Sequence, residues 1–481
     1  MAQNSPFLNL FIMSLFSQCL EQKQFCILVE YLCSNRDTPA VPPSLAGYPA
    51  MMTLADRVHS DEDPVPLELA QQYAPEIEKL LHFSGKGRDI QEFEHFLDQA
   101  EQRGYHNLLL LSGDKLKNHN FGREIPAQRS RYLESVNAVM AARQRHLFNI
   151  GVAFNPFKYT EAERDAQYLK LHKKIKAGAN FLITQLGFDL DCLQHSQSFI
   201  SQHYKQFPLI ACVMPLTLKR AQFMLKHQVA GLVIPAHIVH VLKSEYETDP
   251  VQAEANVYAR CALQILICKH LGFVGVHLSA CHKLSEQQKL EQFLKQYENW
   301  SLAACEKAWK DLWKMDSGLE LKPELATFSK PVPPAQIFKY KQMHLMHQLF
   351  FASHAALGIG RFIFKANFWN KARPDQLLLK MEHWSKHPLV GCESCGHCRL
   401  DDTLYICPET CPKGLANGPC GGTSLDRGEF GDREGIHSVK ARLAKRLDQT
   451  EVLRSKLIPA ISIETRYTSS WKNWFKHSES H

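Results

Sequence analysis

The stretch Asn107-Leu-Leu-Leu-Leu-Ser-Gly-Asp114 decides the fold of this chain. Its four consecutive leucines make an uninterrupted apolar run of strand length, which is typical of a strand buried on both faces. The Ser-Gly turn ends the run and leaves Asp114 at the carboxyl end of the strand. Parallel α/β folds bind their ligands at that edge, because the loops vary there while the strands hold them in place. Asp114 is therefore a candidate functional carboxylate, and the alternative is that it caps the next helix.

Similar strand patterns recur along the first 280 residues and alternate with amphipathic helical patterns. The predicted strands cover residues 25–32, 51–55, 81–83, 107–111, 147–154, 180–185, 209–214, 231–235 and 274–278. About eight strand-helix units in roughly 250 residues is the count for a (β/α)8 barrel. A doubly wound parallel sheet is the second possibility, since it uses the same alternation.

Polar residues at the carboxyl ends of different strands favour the barrel. They are Glu30, Thr53, His82, Asp114 and Gln185. In a barrel all of these side chains converge on one mouth. A carboxylate within an apolar strand costs several kcal/mol if it stays unpaired in a dry site, so Glu30 is expected to be paired or functional. We therefore predict an α/β fold: a TIM barrel followed by a mainly helical, cysteine-rich, metal-binding C-terminal domain.

Length and pattern divide the chain into four parts. With 481 residues it can bury one large core and still form a second unit. We predict an N-terminal helix at residues 1–20, the barrel at 21–290, a helical connecting region at 291–390 and a cysteine-rich module at 391–481. Strand patterns stop after about residue 284, and the prolines of residues 331–334 interrupt the helices that follow.

Composition excludes several classes of protein. The net charge of +7 and the charged fraction of 22% are those of an ordinary globular chain. Residues 433–456 are basic but lack interleaved aromatic residues, which favours a solvated helix over a nucleic-acid site. The apolar N-terminus has neither a positive n-region nor the length to span a bilayer. We expect no nucleic-acid partner, no membrane partner and a cytoplasmic location.

The cysteines indicate a metal site. Six of the fifteen cysteines fall in one short segment, which is unlike a disulfide scaffold and indicates a reducing compartment. The Cys-x2-Cys spacing lets two sulfurs of one turn reach the same metal, while the Cys-x2-Cys-x2-Cys run with a later Cys-Pro is also typical of iron-sulfur ligation. Zinc and a [4Fe–4S] cluster both stay open. The predicted ligands are Cys392, Cys395, Cys398, Cys407, Cys411 and Cys420.

Several of these motifs resemble the methylenetetrahydrofolate reductase family. The resemblance rests on Glu30 after a strand, on Leu110-Leu-Ser-Gly-Asp114, on residues 173–185 and on the Met214-Pro and Ile234-Pro pairs, and it covers about residues 20–290. Residues 392–422 resemble the cysteine-rich module found at the C-terminus of some of these reductases or as a separate subunit. The family is a flavin-bearing (β/α)8 barrel that reduces 5,10-methylenetetrahydrofolate to 5-methyltetrahydrofolate, a step of one-carbon metabolism and methionine biosynthesis.

The resemblance implies roles for individual residues. Glu30 would be the general acid that opens the imidazolidine ring, Asp114 would lie near the flavin and the folate, and Gln185 would hydrogen-bond the pterin. These three form the implied catalytic set. The implied flavin contacts are Thr53, His82, Leu111, Gly113, Asp114, Lys173 and Lys174, with the lysines at the phosphates.

The resemblance also implies an oxidoreductase acting on CH–NH donors, with FAD or FMN as cofactor. NAD(P)H or a ferredoxin-type donor would supply the electrons, and a homo-oligomer or a redox partner protein stays open. A different interpretation is a folate-binding methyl-transfer or electron-transfer scaffold that has lost its own reductase activity. The retained Glu30, Asp114 and Gln185 favour the reductase.

Overall fold

The fold is a closed barrel of eight parallel strands, seen in a computed structural model that describes residues 14–32, 42–58, 63–115, 132–205, 207–315, 330–431 and 433–477. Each strand pairs with the next along the chain, and the last pairs with the first, which closes the barrel. The barrel strands are β1 (Cys26–Tyr31), β3 (Tyr48–Leu54), β4 (Lys79–Ser84), β5 (Asn107–Leu111), β6 (Asn149–Phe154), β7 (Phe181–Thr184), β8 (Leu209–Val213) and β9 (Gly275–Leu278). A short strand, β2 (Ser44–Leu45), pairs antiparallel with β3.

Helices cover the outside of the barrel. They are α1 (Leu15–Gln22), α2 (Pro66–Ala70), α3 (Ile90–Gln102), α4 (Ser135–Gln144), α5 (Glu161–Ala177), α6 (Leu190–His203), α7 (Leu218–His227), α8 (Ala236–Thr248), α9 (Pro250–His270), α10 (Leu284–Tyr297) and α11 (Leu302–Leu312). The (β/α)8 prediction is confirmed. Of the predicted N-terminal helix, residues 1–13 lie outside the described part of the chain, and α1 covers the rest.

The leucine run behaves as its composition predicts. Leu108, Leu109 and Leu110 are buried, because β5 lies between β4 and β6 and is covered by helices on the outside.

The capping box of α3, in which the Asp89 carboxylate accepts from the Glu92 backbone N–H, fixes where that helix begins. The parallel register then brings the carboxyl ends of all eight strands to one mouth.

One predicted strand is wrong. Residues 231–235 form no strand, because β8 pairs directly with β9 and leaves no place between them. The segment instead runs as irregular backbone that buries Ile234 and offers the Gly231 carbonyl to the Asn155 side chain at 2.9 Å. An apolar run of only five residues is equally compatible with a buried loop, so its length does not distinguish the two.

The remaining helices form two further parts. The connecting region contains α12 (Pro334–His347), a π-helical turn at Gln348–Ala352, α13 (His354–Phe364) and α14 (Ala372–Val390). The cysteine-rich module follows with α15 (Ile436–Leu447), α16 (Thr450–Ser455) and α17 (Ser470–His477), and both α15 and α16 pack on α5 of the barrel. None of the helices in the described ranges has the length and apolar character needed to cross a bilayer.

Candidate active site

Three of the predicted residues lie together inside the barrel. Glu30 on β1 stands in register with Thr53 on β3, and the Thr53 hydroxyl lies 2.5 Å from Nε2 of His82 on β4. Thr53 and His82 are buried, whereas Glu30 is half-buried toward the mouth. The first three barrel strands, β1, β3 and β4, therefore bring a carboxylate, a hydroxyl and an imidazole to one side of the mouth.

Two further polar side chains join this group from the far end of the barrel sequence. His277 on β9 stands opposite Cys212 on β8, and its ring centroid lies 5.7 Å from that of His82. Sequence reasoning missed both residues. The signal was present for His277, because it lies within an apolar strand as Glu30 does.

Burial keeps both imidazoles uncharged. It holds the pKa of His82 well below the usual value, and the neighbouring His277 lowers it further. Burial also lowers the pKa of His277, although the negative charge of Glu30 opposes that shift. The Cys212 thiol is neutral as well, since burial raises its pKa to about 12. Glu30 is thus a carboxyl group surrounded by neutral polar groups.

The end of β5 and the loop after it carry three further predicted site residues, Leu111, Gly113 and Asp114. Leu111 ends the strand beside Ser84, and Gly113 has a φ of +81° that favours glycine. A Cβ atom on Gly113 would lie 2.3 Å from the Ser84 Oγ, so the position also needs glycine for space. Asp114 follows with an exposed side chain.

The cysteine-rich module covers this part of the mouth. The Lys413 ammonium donates to the Gly113 carbonyl at 2.8 Å and forms a buried ion pair with Glu429. Glu429 in turn accepts a hydrogen bond from the Lys115 backbone N–H at 2.6 Å. Burial disfavours charge on Lys413, yet Cys420, Glu429 and Asp114 together raise its pKa above the usual value. The module therefore brings a permanent positive charge close to Asp114.

The barrel holds the module mainly through hydrogen bonds from barrel side chains to the module's backbone carbonyls. The Asn155 side chain after β6 donates to the Gly421 carbonyl at 3.0 Å. Lys158 donates to the carbonyls of Gly421 and Thr423, and Gln167 on α5 donates to that of Cys420 at 2.9 Å. A segment beginning at about residue 413 is thereby attached to the loops after β5 and β6.

Gln185 follows β7, as predicted, and its amide is engaged in local hydrogen bonds. Its Nε2 donates to the Ala230 carbonyl at 3.2 Å, and its Oε1 accepts from the Leu186 backbone N–H at 2.9 Å. The loop that replaces the predicted strand at residues 231–235 thus lies beside Gln185. Its role toward a pterin stays a prediction.

Lys173 and Lys174 lie in a buried charged network on α5. Lys174 donates to the Ala153 carbonyl of β6, and burial lowers its pKa to about 7. Burial lowers the pKa of Lys173 to about 8, against the attraction of Glu134. Their predicted contact with flavin phosphates stays a prediction.

Glu134 is the centre of that network and joins the barrel to the module. Its carboxylate pairs with Lys170 at 2.8 Å and accepts from the backbone N–H groups of Ala416 and Asn417, each at 3.0 Å. Burial raises its pKa, but Lys170 and these two N–H groups outweigh burial and hold the pKa below the usual value. Sequence reasoning missed this residue, because its partners in the module lie about 280 positions away.

The six cysteines separate into two groups. Four of them line a cavity of about 20 Å³: Cys392, Cys395, Cys398 and Cys407. Cys411 and Cys420 lie apart from it, beside Lys413 and Glu429 at the barrel mouth. The structure therefore does not place all six cysteines around one site, although their spacing alone would permit it.

Metal binding by these cysteines stays a prediction. Within the ranges that the structure describes, no group of three or more Cys, His, Asp or Glu side chains is arranged to hold a metal ion. Burial raises the pKa of Cys392 to about 11 and that of Cys395 to about 12, so both are neutral thiols. The Cys395 thiol donates a hydrogen bond to the His397 carbonyl at 3.2 Å.

Two protein-family models match this chain, one over the barrel and one over the C-terminal part. The family model described as methylenetetrahydrofolate reductase matches residues 28–294, which is more than half of the chain. The model described as methylene-tetrahydrofolate reductase C terminal matches residues 372–464.

Curated relatives share part of this sequence. Methylenetetrahydrofolate reductase 2 of Saccharomyces cerevisiae is 27% identical over 166 residues, which are 34% of this chain and 27% of the yeast protein. Methylenetetrahydrofolate reductase (NADH) 1 of Arabidopsis thaliana is 22% identical over 214 residues, covering 42% and 35% of the two chains. The Caenorhabditis elegans protein, a probable methylenetetrahydrofolate reductase (NADPH), is 25% identical over 240 residues, covering 47% and 33%. The chain thus spans about a third of their length.

Among solved structures, a Clostridium thermocellum protein described as binding two copies of 5-methyl-5,6,7,8-tetrahydrofolic acid aligns with a TM-score of 0.41 and 13% identity, covering 59% of this chain and 99% of that protein. The match of the first family model to residues 28–294 coincides with the barrel and includes Glu30, Asp114 and Gln185. The chain belongs to the methylenetetrahydrofolate reductase family.

Proposed function

We propose that this chain reduces 5,10-methylenetetrahydrofolate to 5-methyltetrahydrofolate at the barrel mouth, with the help of a bound flavin. The observation that carries the proposal is the position of Glu30. It is a half-buried carboxyl group among the neutral polar side chains of Thr53, His82 and His277. Such a setting suits a group that must deliver one proton to a substrate.

The polar groups inside the barrel fit a flavin ring. Nε2 of His277 is buried and has no hydrogen-bond partner within the described ranges, so it is available to a heteroatom of a bound ligand. Thr53 and His82 lie beside it, and we assign Leu111, Gly113 and Asp114 to the same ligand at the end of β5. A bound flavin, FAD or FMN, would supply the hydride.

Glu30 would protonate the ring nitrogen that is released when the imidazolidine ring of the folate opens. His82 and His277 do not compete for this role, because burial keeps both imidazoles neutral. Asp56, a buried carboxylate that follows β3, is not available for this role, because it forms an ion pair of 2.5 Å with Arg88. Asp114 and Gln185 would orient the folate from the loops after β5 and β7.

We further propose that Cys392, Cys395, Cys398 and Cys407 hold the metal, as zinc or as a [4Fe–4S] cluster. The chemistry of the donor set supports this, since four thiols line one small cavity. Metal binding requires thiolates, and a bound cation would favour that form although burial alone opposes it. Cys411 and Cys420 would then belong to the contact with the barrel.

The test is anaerobic purification followed by spectroscopy and a reduction assay. We expect flavin absorbance bands and reduction of 5,10-methylenetetrahydrofolate by at least one of NADH, NADPH and a reduced ferredoxin-type protein. Folate binding without flavin and without turnover would support the scaffold interpretation instead. Iron and zinc analysis of the same sample distinguishes the two metals.

A further inference from the structure

The connecting region of residues 330–390 exposes large apolar side chains on three helices. Phe362 is 83% and Trp384 82% exposed, which is more than any other large apolar side chain in the described ranges. On α12 and in the π-helical turn the exposed residues include Phe338, Leu345 and Leu349, and on α14 they include Leu377 and Met381. Most of this region lies between the two segments that match the family models.

The spacing shows that these side chains form faces. Leu377, Met381 and Trp384 are separated by four and three residues, so they share one side of α14. A neighbouring side of that helix, about 100° away, buries Leu378 and Glu382. The helix α12 buries none of its own residues. These outward faces are apolar where a solvated helix would be polar, which is the pattern of an interaction surface.

The same region carries an excess of positive charge. Residues 330–390 contain seven lysines and two arginines but only two acidic residues, Asp375 and Glu382. Both acids are paired inside the fold, Asp375 with Lys472 and Glu382 with Lys386. The resulting formal charge of +7 equals that of the whole chain, so the rest of the protein is neutral overall.

An apolar cavity opens within this surface. It has a volume of about 460 Å³ and lies between α12, α14 and α17. Its walls include the exposed side chains of Met346, Phe350 and Leu389, together with the aromatic rings of Trp471 and Phe475. The apolar surface is therefore continuous from the outer helix faces into the interior of the connecting region.

We propose that this region docks the protein on an anionic lipid bilayer. The apolar side chains would enter the boundary between headgroups and acyl chains, and the lysines would lie at the headgroup phosphates, as in other helices that lie on a membrane without spanning it. This goes beyond the proposed reaction. It also departs from the expectation of no membrane partner, which considered only spanning and signal segments.

The charge of this region favours a lipid bilayer over a second copy of the chain and over another protein. A second copy of this chain would bring one region of charge +7 against another, which is repulsive. A protein partner is disfavoured by composition, because protein interfaces are depleted in lysine and this region exposes six lysines besides the paired Lys386. An anionic bilayer matches both the lysines and the exposed apolar faces.

The test is sedimentation of the full-length protein with vesicles of phosphatidylcholine alone and with 30% phosphatidylglycerol. We expect binding only to the second kind and weaker binding at high salt. Lys339→Gln with Lys341→Gln should lower the partition coefficient about 25-fold, at about fivefold for each lysine. Phe362→Ser with Trp384→Ser should lower it at least as much, and neither pair should unfold the protein, because all four side chains are exposed.

Matched controls come from the barrel surface. Lys307→Gln with Lys310→Gln on α11, and Val251→Ser on α9, whose side chain is 80% exposed, should leave binding unchanged. Equal binding to both kinds of vesicle, or no binding to either, would overturn the proposal. So would self-association of the wild type in light scattering that Phe362→Ser with Trp384→Ser abolishes, since the surface would then join two copies of the chain.

Discussion

Lys413 of the cysteine-rich module donates a hydrogen bond to the Gly113 carbonyl at the end of β5, across 300 residues of sequence. The two residues belong to the two segments that different family models match. The module is thereby attached to the loop that carries Asp114. We therefore expect the conformation of this loop, and with it the proposed site, to depend on the module.

We predict that Lys413→Met destabilises the protein by about 3–5 kcal/mol, because it leaves the Glu429 carboxylate buried without its counter-ion. Chemical denaturation would measure the change in the free energy of unfolding. The double variant Lys413→Met with Glu429→Gln should recover most of the loss, since it removes both charges. A loss below about 1 kcal/mol in the single variant would show that the ion pair is not needed there.

Glu30→Gln is expected to lower the rate of methylenetetrahydrofolate reduction by about 10²–10⁴-fold, because an amide cannot donate the proton that ring opening requires. Bound flavin should stay at the wild-type level. The control is Glu21→Gln, which changes an exposed glutamate on α1. If Glu30→Gln kept more than a tenth of the rate at matched flavin content, another group would be the acid.

The division of the cysteines leads to a third prediction. Cys395→Ser with Cys407→Ser should lower the zinc or iron content and make residues from about 388 onward sensitive to proteases, because metal binding is coupled to folding of a segment with a small core. Cys420→Ser should leave the metal content unchanged. A wild-type protein that carries neither metal after anaerobic purification would rule the site out.

The buried lysines predict how stability depends on pH. Burial, assisted by Lys173, lowers the pKa of Lys440 to about 7, which is well below the value of an unfolded lysine. Between pH 7 and pH 9 the unfolded state therefore binds more protons, and the free energy of unfolding should rise with pH. Denaturation at pH 7, 8 and 9 measures this slope.

Lys440→Met should reduce that slope by up to about 1.4 kcal/mol per pH unit, because the variant lacks the group whose pKa differs between the two states. Lys445→Met on the same helix is the control. Its ammonium pairs with Glu161, and a hydrogen bond to that carboxylate raises its pKa, so it stays charged throughout this range. An unchanged slope in Lys440→Met would assign the pH dependence to other groups.

Local sequence patterns were sufficient for the barrel. The leucine run predicted β5, and the polar interruptions at Glu30, Thr53 and His82 predicted side chains that the structure places together. These features depend on short-range periodicity and on the convergence of parallel strands. The error at residues 231–235 has the same origin, because a short buried loop and a short buried strand have similar composition.

Long-range contacts could not be predicted. The pairing of Glu134 with Lys170 and with the backbone of Asn417 joins positions that no local pattern relates. The division of the cysteines likewise depends on where the module meets the barrel, because Cys411 and Cys420 lie at that contact while four others surround a cavity. From their spacing alone, all six cysteines were predicted to be metal ligands.

The attachment of the module through carbonyl oxygens has a consequence for related sequences. Asn155, Lys158 and Gln167 donate to main-chain atoms of residues 420–423, so they recognise the path of the module's backbone and largely ignore its side chains. These three donors therefore require no particular side chain in that segment. Space is limited at Gly422, where a Cβ atom would lie 2.4 Å from the Glu429 side chain. We therefore expect Asn155, Lys158 and Gln167 to mark barrels that carry such a module, whether it is fused or a separate subunit.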